Sequence, residues 1–99
     1  MLALRPNCEC CDRDLPADSL DAMMCTFECT FCSACATGVL QNVCPNCGGE
    51  LVRRPVRPAE KRLTYPASAE RVFKPLTGER MKKHADYVER YRGVDPAKR

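Results

Sequence analysis

Nine cysteines stand between Cys8 and Cys47, and none occurs in the rest of the 99-residue chain. Eight of them fall into four pairs: Cys8 with Cys11, Cys25 with Cys29, Cys32 with Cys35, and Cys44 with Cys47. A C-x2-C pair places two sulfurs on one side of a tight turn, about 2.3 Å from a shared metal ion, and two such pairs complete a tetrahedral site. Four pairs therefore imply two tetrathiolate zinc sites, each with a formal charge of −2 once the thiols ionise. A disulfide framework is the rival chemistry. An odd cysteine count, repeated C-x2-C spacing and the absence of a secretory leader in MLALRPNCEC favour metal in a reducing, cytoplasmic setting. No stretch is long and apolar enough to cross a membrane.

Spacing leaves the division of the pairs open. The run Cys25-Thr-Phe-Glu-Cys29-Thr-Phe-Cys32-Ser-Ala-Cys35 is compatible with sequential sites split after Cys29. It is equally compatible with interleaved sites, Cys8, Cys11, Cys32 and Cys35 on one ion and Cys25, Cys29, Cys44 and Cys47 on the other. Cys10 is left over. It reads as a small, half-buried apolar side chain, with ligand exchange or oxidant sensing as its functional alternatives.

The array resembles the cross-brace RING finger, spaced C-x2-C, C-x(1-3)-H, C-x2-C, C-x2-C. Cys29 takes the histidine position, Phe31 precedes the fifth ligand, Leu15 follows the second, and Cys44-Pro45-Asn46-Cys47 is the closing C-P-x-C. The resemblance implies the interleaved assignment. Ubiquitin-ligating RING fingers usually carry a bulky aliphatic just before the second ligand and often a cation after the last. Here those positions hold Cys10 and Gly48, departures that argue against ligase activity. Over residues 1 to about 58, the blocks RPNCECCDRDLP, CTFECTFC and CPNCGGELVRRP are similar to a bacterial cysteine-rich family, domain of unknown function 1272. That likeness implies a zinc-binding fold, and the family name assigns no activity.

The elements that must position these ligands are short. So small a chain buries too little apolar surface to fold on that alone, and metal supplies the difference. The expected fold is a small metal-stabilised α+β structure. It comprises a RING-like, treble-clef head over 1–52, a Pro/Arg-rich linker over 53–76, a basic amphipathic helix over 77–93 and a tail over 94–99. In the head, Met23–Thr26 and Thr30–Phe31 predict a hairpin around Phe27 and Glu28. Ala36–Val43 predicts a helix that turns Leu40 and Val43 toward the metal core. Gly48 and Gly49 suit positive φ and let N–H groups approach sulfur.

Pro55, Pro58 and Pro66 break up the linker, with a helical turn expected after Ser68. Thr77 can cap a helix from Gly78 to about Arg92, stopped at Gly93. Its apolar stripe, Met81, Ala85 and Val88, with Tyr87 and Tyr91 beside it, is expected to pack on the zinc head or on a second copy. Arg80, Lys82, Lys83, Arg90 and Arg92 would face outward, and His84 is expected on the helix surface, away from the metal.

Charge divides unevenly, −4 over residues 1–49 and +7 over 50–99, so head and tail attract. Partners follow from this: a protein or a second copy, and nucleic acid if the basic helix meets phosphates while its tyrosines stack on bases. No small-molecule substrate is indicated. No catalytic triad, phosphate loop or paired-carboxylate motif is present, and four thiolates leave a metal no open position, so the chain is expected not to be an enzyme.

Overall fold

The computed structural model describes residues 1–99. Three short strands, β1 (Ala22–Met24), β2 (Thr30–Cys32) and β3 (Val52–Arg53), form one antiparallel sheet in the order β2-β1-β3. The β1–β2 pair is the expected hairpin, with Met23 opposite Phe31 and Met24 opposite Thr30. Its strands stop at Met24 because the chain must turn at Cys25. Cys25 N–H donates to Cys29 C=O at 3.2 Å, and Glu28 closes the turn with φ of 65°. β3, paired to β1 through Met23↔Arg53 and Met24↔Val52, falls in the region read as the start of the linker and has no length from which to announce itself.

The first helix, α1, runs Ser33–Thr37 rather than 36–43. It starts early because Cys32 is its N-cap, the sulfur accepting from Cys35 N–H, so the metal knuckle and the first helical turn are one structure. The carbonyl of Ala34 caps it against Gly38. Gln41 and Asn42 then adopt left-handed conformations, φ 50° and 59°, which turn the chain toward Cys44. Leu40 and Val43 are buried, as expected.

The core gathers Leu15, Ala22, Phe31, Ala36, Leu40 and Leu51 around the cysteines. Two charges are buried in it. Glu9, fully buried, accepts from Thr30 N–H at 2.7 Å and Arg5 Nη1 at 2.8 Å. Arg54, 1% exposed, donates to the carbonyls of Arg5 (2.8 Å), Leu15 (3.3 Å) and Pro16 (3.0 Å). It ties β3 to the loop that carries the first cysteines. Burial lowers its pKa, and three carbonyls with no carboxylate offset the desolvation.

The second half lies along the head. Helix α2 (Ala59–Thr64) begins after Pro58, whose fixed φ suits a helix start; no helix follows Ser68, whose hydroxyl accepts from Glu70 N–H instead. From there the chain binds the head in sequence. Ser68 N–H reaches Ala3 C=O, the Asn7 side chain pairs with both main-chain polar groups of Val72, and Lys74 N–H reaches Glu9 C=O. Arg71 pairs with Asp12 and Asp14 at 2.9 and 2.7 Å, a direct expression of the opposite charges. These exposed pairs contribute little each.

Helix α3 (Gly78–Tyr91) has the expected bounds, although the Thr77 hydroxyl makes no capping bond. Its docking face differs from the expected one. Met81 is 53% exposed and Ala85 is exposed. The helix instead meets the head through Arg80, His84, Tyr87 and Tyr91, a stripe at helical spacing. His84, expected on the surface, is 4% exposed. Its Nε2 contacts the carbonyls of Leu40 at 2.8 Å and Val43 at 3.1 Å. Two carbonyls can only accept, so Nε2 carries the proton.

Candidate metal centres

The first knuckle is built by the turn after Cys8. Cys8 N–H donates to Arg13 C=O and Asp12 N–H to Cys8 C=O, each at 2.8 Å, while Cys11 N–H points at Cys8 sulfur at 3.5 Å. On the far side, Cys32 ends β2 and Cys35 lies in α1, with Cys35 N–H 3.4 Å from Cys32 sulfur. Hairpin and α1 thus carry this pair to the first. Cys8, Cys11, Cys32 and Cys35 all bring their sulfurs within 4.8 Å of one another. The Cys11–Cys32 separation is 3.8 Å. A tetrahedron with metal–sulfur bonds of about 2.3 Å has edges of about 3.8 Å, so the geometry accepts an ion without rebuilding.

The second group takes Cys25 and Cys29 from the two ends of the hairpin turn and Cys44 and Cys47 from the loop after α1. The sulfurs of Cys25, Cys44 and Cys47 lie within 4.8 Å of one another. Cys29 falls outside that grouping, though close enough to Cys44 and Cys25 for both to lower its thiol. The pairs are therefore interleaved, first with third and second with fourth, as in a cross-brace. Gly49 N–H approaches Cys47 sulfur at 3.4 Å, the role expected of it. Gly48 does something else: its N–H caps Cys44 C=O, and the space where a Cβ would stand is filled by the rings of Tyr91 and Tyr87.

Crowded thiols share protons unequally. The Cys44 hydrogen bond, helped by Asn46 and Cys25, pulls the Cys29 thiol down to about 5 and pushes Cys44 up in return. Burial pushes Cys25 up to about 11 and raises Cys32 and Cys35. Burial also works on Cys11, but hydrogen bonds from Arg13 N–H and neighbouring thiols outweigh it and leave that thiol lowered. Such a cluster is completed by a cation. The head has only two basic residues of its own, Arg5 and Arg13, and one stands beside each group. Arg13 is raised chiefly by the charge of Cys32. Burial opposes Arg5, which Glu9 and the charge of Cys29 nevertheless raise.

Cys10 is partly buried against the core, near enough to Cys35 for its charge to help raise that thiol. All nine cysteines are free thiols. Of the basic residues singled out on α3, Arg80 and Lys83 turn toward the head and reach Asn46, and Arg92 pairs with Glu89 at 3.1 Å. Arg90 lies over the stacked rings of Tyr87 and Tyr91, and Lys82 is exposed. Sequence reasoning passed over Asn7, Glu9 and Arg54, and it placed His84 on the surface, where the structure buries it. The one available signal was that His84 lies four residues from Arg80 and three from Tyr87.

A family model described as "Protein of unknown function (DUF1272)" matches residues 1–57. The chain belongs to that family. The DUF1272 match takes in every cysteine and both metal groups. An uncharacterized protein of Rhizobium meliloti (strain 1021) is 73% identical over 75 residues, covering 76% of this chain and 89% of that relative. That stretch is longer than the DUF1272 match, so the likeness extends beyond the residues of that match. No solved structure matches. No helix is long and apolar enough to cross a membrane.

Proposed function

We propose that this DUF1272 member is a non-catalytic zinc-stabilised interaction module of the cytoplasm, with one zinc ion in each cysteine group. Cys8, Cys11, Cys32 and Cys35 would hold one ion and Cys25, Cys29, Cys44 and Cys47 the other. The observation that carries the reading is the interleaved grouping of the thiols, four in the first group and three, with Cys29 near them, in the second. Four thiolates fill a tetrahedral zinc and leave no position for water or substrate, which is the signature of a structural rather than a catalytic ion. The ions supply folding free energy, on the order of 10 to 16 kcal/mol of apparent binding each. Because each ion joins segments far apart in sequence, the head forms as one cooperative unit.

What remains for function is surface. Phe27, Val39 and Met81 are large apolar side chains left more than half exposed, which suits contact with a protein or a second copy. The ligase-like alternative gains no support: Gly48, where RING ligases often carry a cation, is sealed under Tyr87 and Tyr91. A second reading, nucleic-acid contact, is favoured by the placement of Lys83, Arg90 and Arg99 around the stacked tyrosines.

The decisive experiment is metal analysis of protein purified without added metal, together with cobalt substitution. Two zinc per chain and a tetrahedral tetrathiolate spectrum for both cobalt equivalents are expected. One ion per chain, iron in its place, or a cobalt spectrum showing bound water refutes the reading.

A further inference from the structure

Helix α3 carries two stripes, and the head takes up only one of them. Arg80, His84, Tyr87 and Tyr91 meet the head, while Met81, Ala85 and Val88 lie roughly 100° further round the helix. Met81 and Ala85 are exposed and Val88 is half-buried. These three line a groove of 380 Å³ together with Leu76 and the exposed Val39. Single apolar side chains at a surface are ordinary, whereas a contiguous apolar face marks a contact.

The charges beside the stripe say what covers it. Lys82 and Glu89, both exposed, share its edge away from the head, separated by about two helical turns. Lys82 stands three residues before Ala85 and Glu89 four after it. A second α3 laid on the stripe in the opposite direction, crossing at Ala85, therefore brings its Glu89 to Lys82 and its Lys82 to Glu89. A parallel copy would set Lys82 on Lys82 and Glu89 on Glu89. Ala85 at the crossing is small, which favours close approach, two packed helices lying about 8–10 Å apart. Arg92, the one charge in line with the stripe, pairs with Glu89 at 3.1 Å. In the antiparallel arrangement Arg92 falls over Gly78 of the other copy, where even a Cβ would meet nothing within 4 Å.

We propose that the chain forms a two-fold dimer through this face, α3 packing antiparallel on α3 of a second copy with Ala85 at the crossing. The proposal rests on the reading of the chain as a zinc-stabilised interaction module and names its partner as itself. A two-fold interface presents one patch twice, so that patch must complement its own rotated image. The apolar stripe does so because like meets like, and the edge does so because each Lys82 meets a Glu89. Burial of Met81, Val88 and the groove between them and Val39 supplies the attraction. The two ion pairs add little affinity and fix the direction and register. So short a contact belongs with the weak, reversible interfaces.

The test is sedimentation equilibrium of the zinc-loaded full chain, from about 1 μM to about 1 mM. A monomer–dimer equilibrium is expected for the wild type, and its loss in Met81→Glu. Lys82→Glu and Glu89→Lys each turn both cross-pairs into like charges and are expected to weaken the dimer about 4- to 30-fold. The double variant Lys82→Glu/Glu89→Lys should recover the wild-type affinity. An equimolar mixture of the two single variants should associate more tightly than either alone, because every glutamate then faces a lysine. These substitutions are on exposed positions, and an unchanged amide spectrum of each variant at low concentration confirms the fold. A wild-type chain that stays monomeric to about 1 mM, single variants that dimerise like the wild type, or a mixture no tighter than its components overturns the proposal. Metal content of the same samples is read separately. A monomer holding two zinc ions overturns the dimer alone and assigns the face to another protein, whereas fewer than two zinc ions per chain overturns the underlying reading at any association state.

Discussion

Replacing Gly48 by alanine asks whether the tail is part of the fold or an attachment to it. Gly48 holds φ at +78°, a conformation that costs a residue with a Cβ about 1–2 kcal/mol. The new methyl would also stand 2.9 Å from Tyr91 Cε2 and 3.1 and 3.2 Å from two carbons of Tyr87. Contacts so short force the rings to shift, and overpacking of this kind costs about 1–3 kcal/mol. The total is about 2–5 kcal/mol. The two parts behave differently. The clash can be relieved if α3 lifts off, so its cost is capped by the free energy of docking the helix, whereas the backbone strain persists. Hydrogen exchange over residues 78–91 and the thermal midpoint of the zinc-loaded protein report both. A loss of 1 kcal/mol corresponds to about 4–8 °C in a domain of this size. On a Tyr91→Ala background, where room has been made, Gly48→Ala should cost about 1–2 kcal/mol, the strain alone, and the pair should be strongly non-additive. An unchanged midpoint with unchanged protection of α3, or strict additivity of the two substitutions, refutes the packing argument.

Complete chelation should abolish the dispersed amide spectrum of residues 8–47, because the groups that join the head are thiols without the ions between them; a spectrum retained after full metal removal contradicts this. Acidification should likewise release metal, since protons compete for thiolates, with binding weakening as pH falls, measurable by a chromogenic chelator. Arg54→Ala strips three buried or half-buried carbonyls of their donor and should cost about 2–4 kcal/mol in denaturant unfolding; a change below about 0.5 kcal/mol, the scale of an ordinary surface substitution, would show that water replaces it. His84→Ala removes the donor to Leu40 and Val43 carbonyls and should expose α3 to exchange at a cost of about 1–3 kcal/mol, with protection unchanged if the histidine only fills space. If the basic helix binds nucleic acid, affinity for a single-stranded oligonucleotide should fall steeply with salt and the slope should diminish in Lys82→Ala and Arg90→Ala; salt-independent binding excludes that reading.

The cysteine pairs were readable from the chain because their geometry is local: two residues between two cysteines make the turn that aims both sulfurs one way. The limits of α3 were readable for the same reason, since Thr77, Gly93 and the pattern between them act within a few residues, although the Thr77 hydroxyl makes no capping bond. The division of the pairs was not contained in spacing, and the cross-brace resemblance supplied what the hairpin and α1 then carried out in space. The docking face of α3 was only partly read, because apolarity points to Met81, Ala85 and Val88, whereas the helix meets the head through buried His84 and half-buried Arg80, Tyr87 and Tyr91, with Val88 half-buried beside them. Polar side chains can be buried only when partners await them, and those partners are main-chain carbonyls of Leu40 and Val43, the amide of Asn46 and the bare backbone of Gly48. The same holds for Arg54, a linker charge by composition and a core residue by its three acceptors. The sequence by itself determined which atoms can bind metal; the tertiary structure decided which pairs share an ion and where the second half lies, because those choices depend on acceptors and surfaces that exist only once distant segments meet.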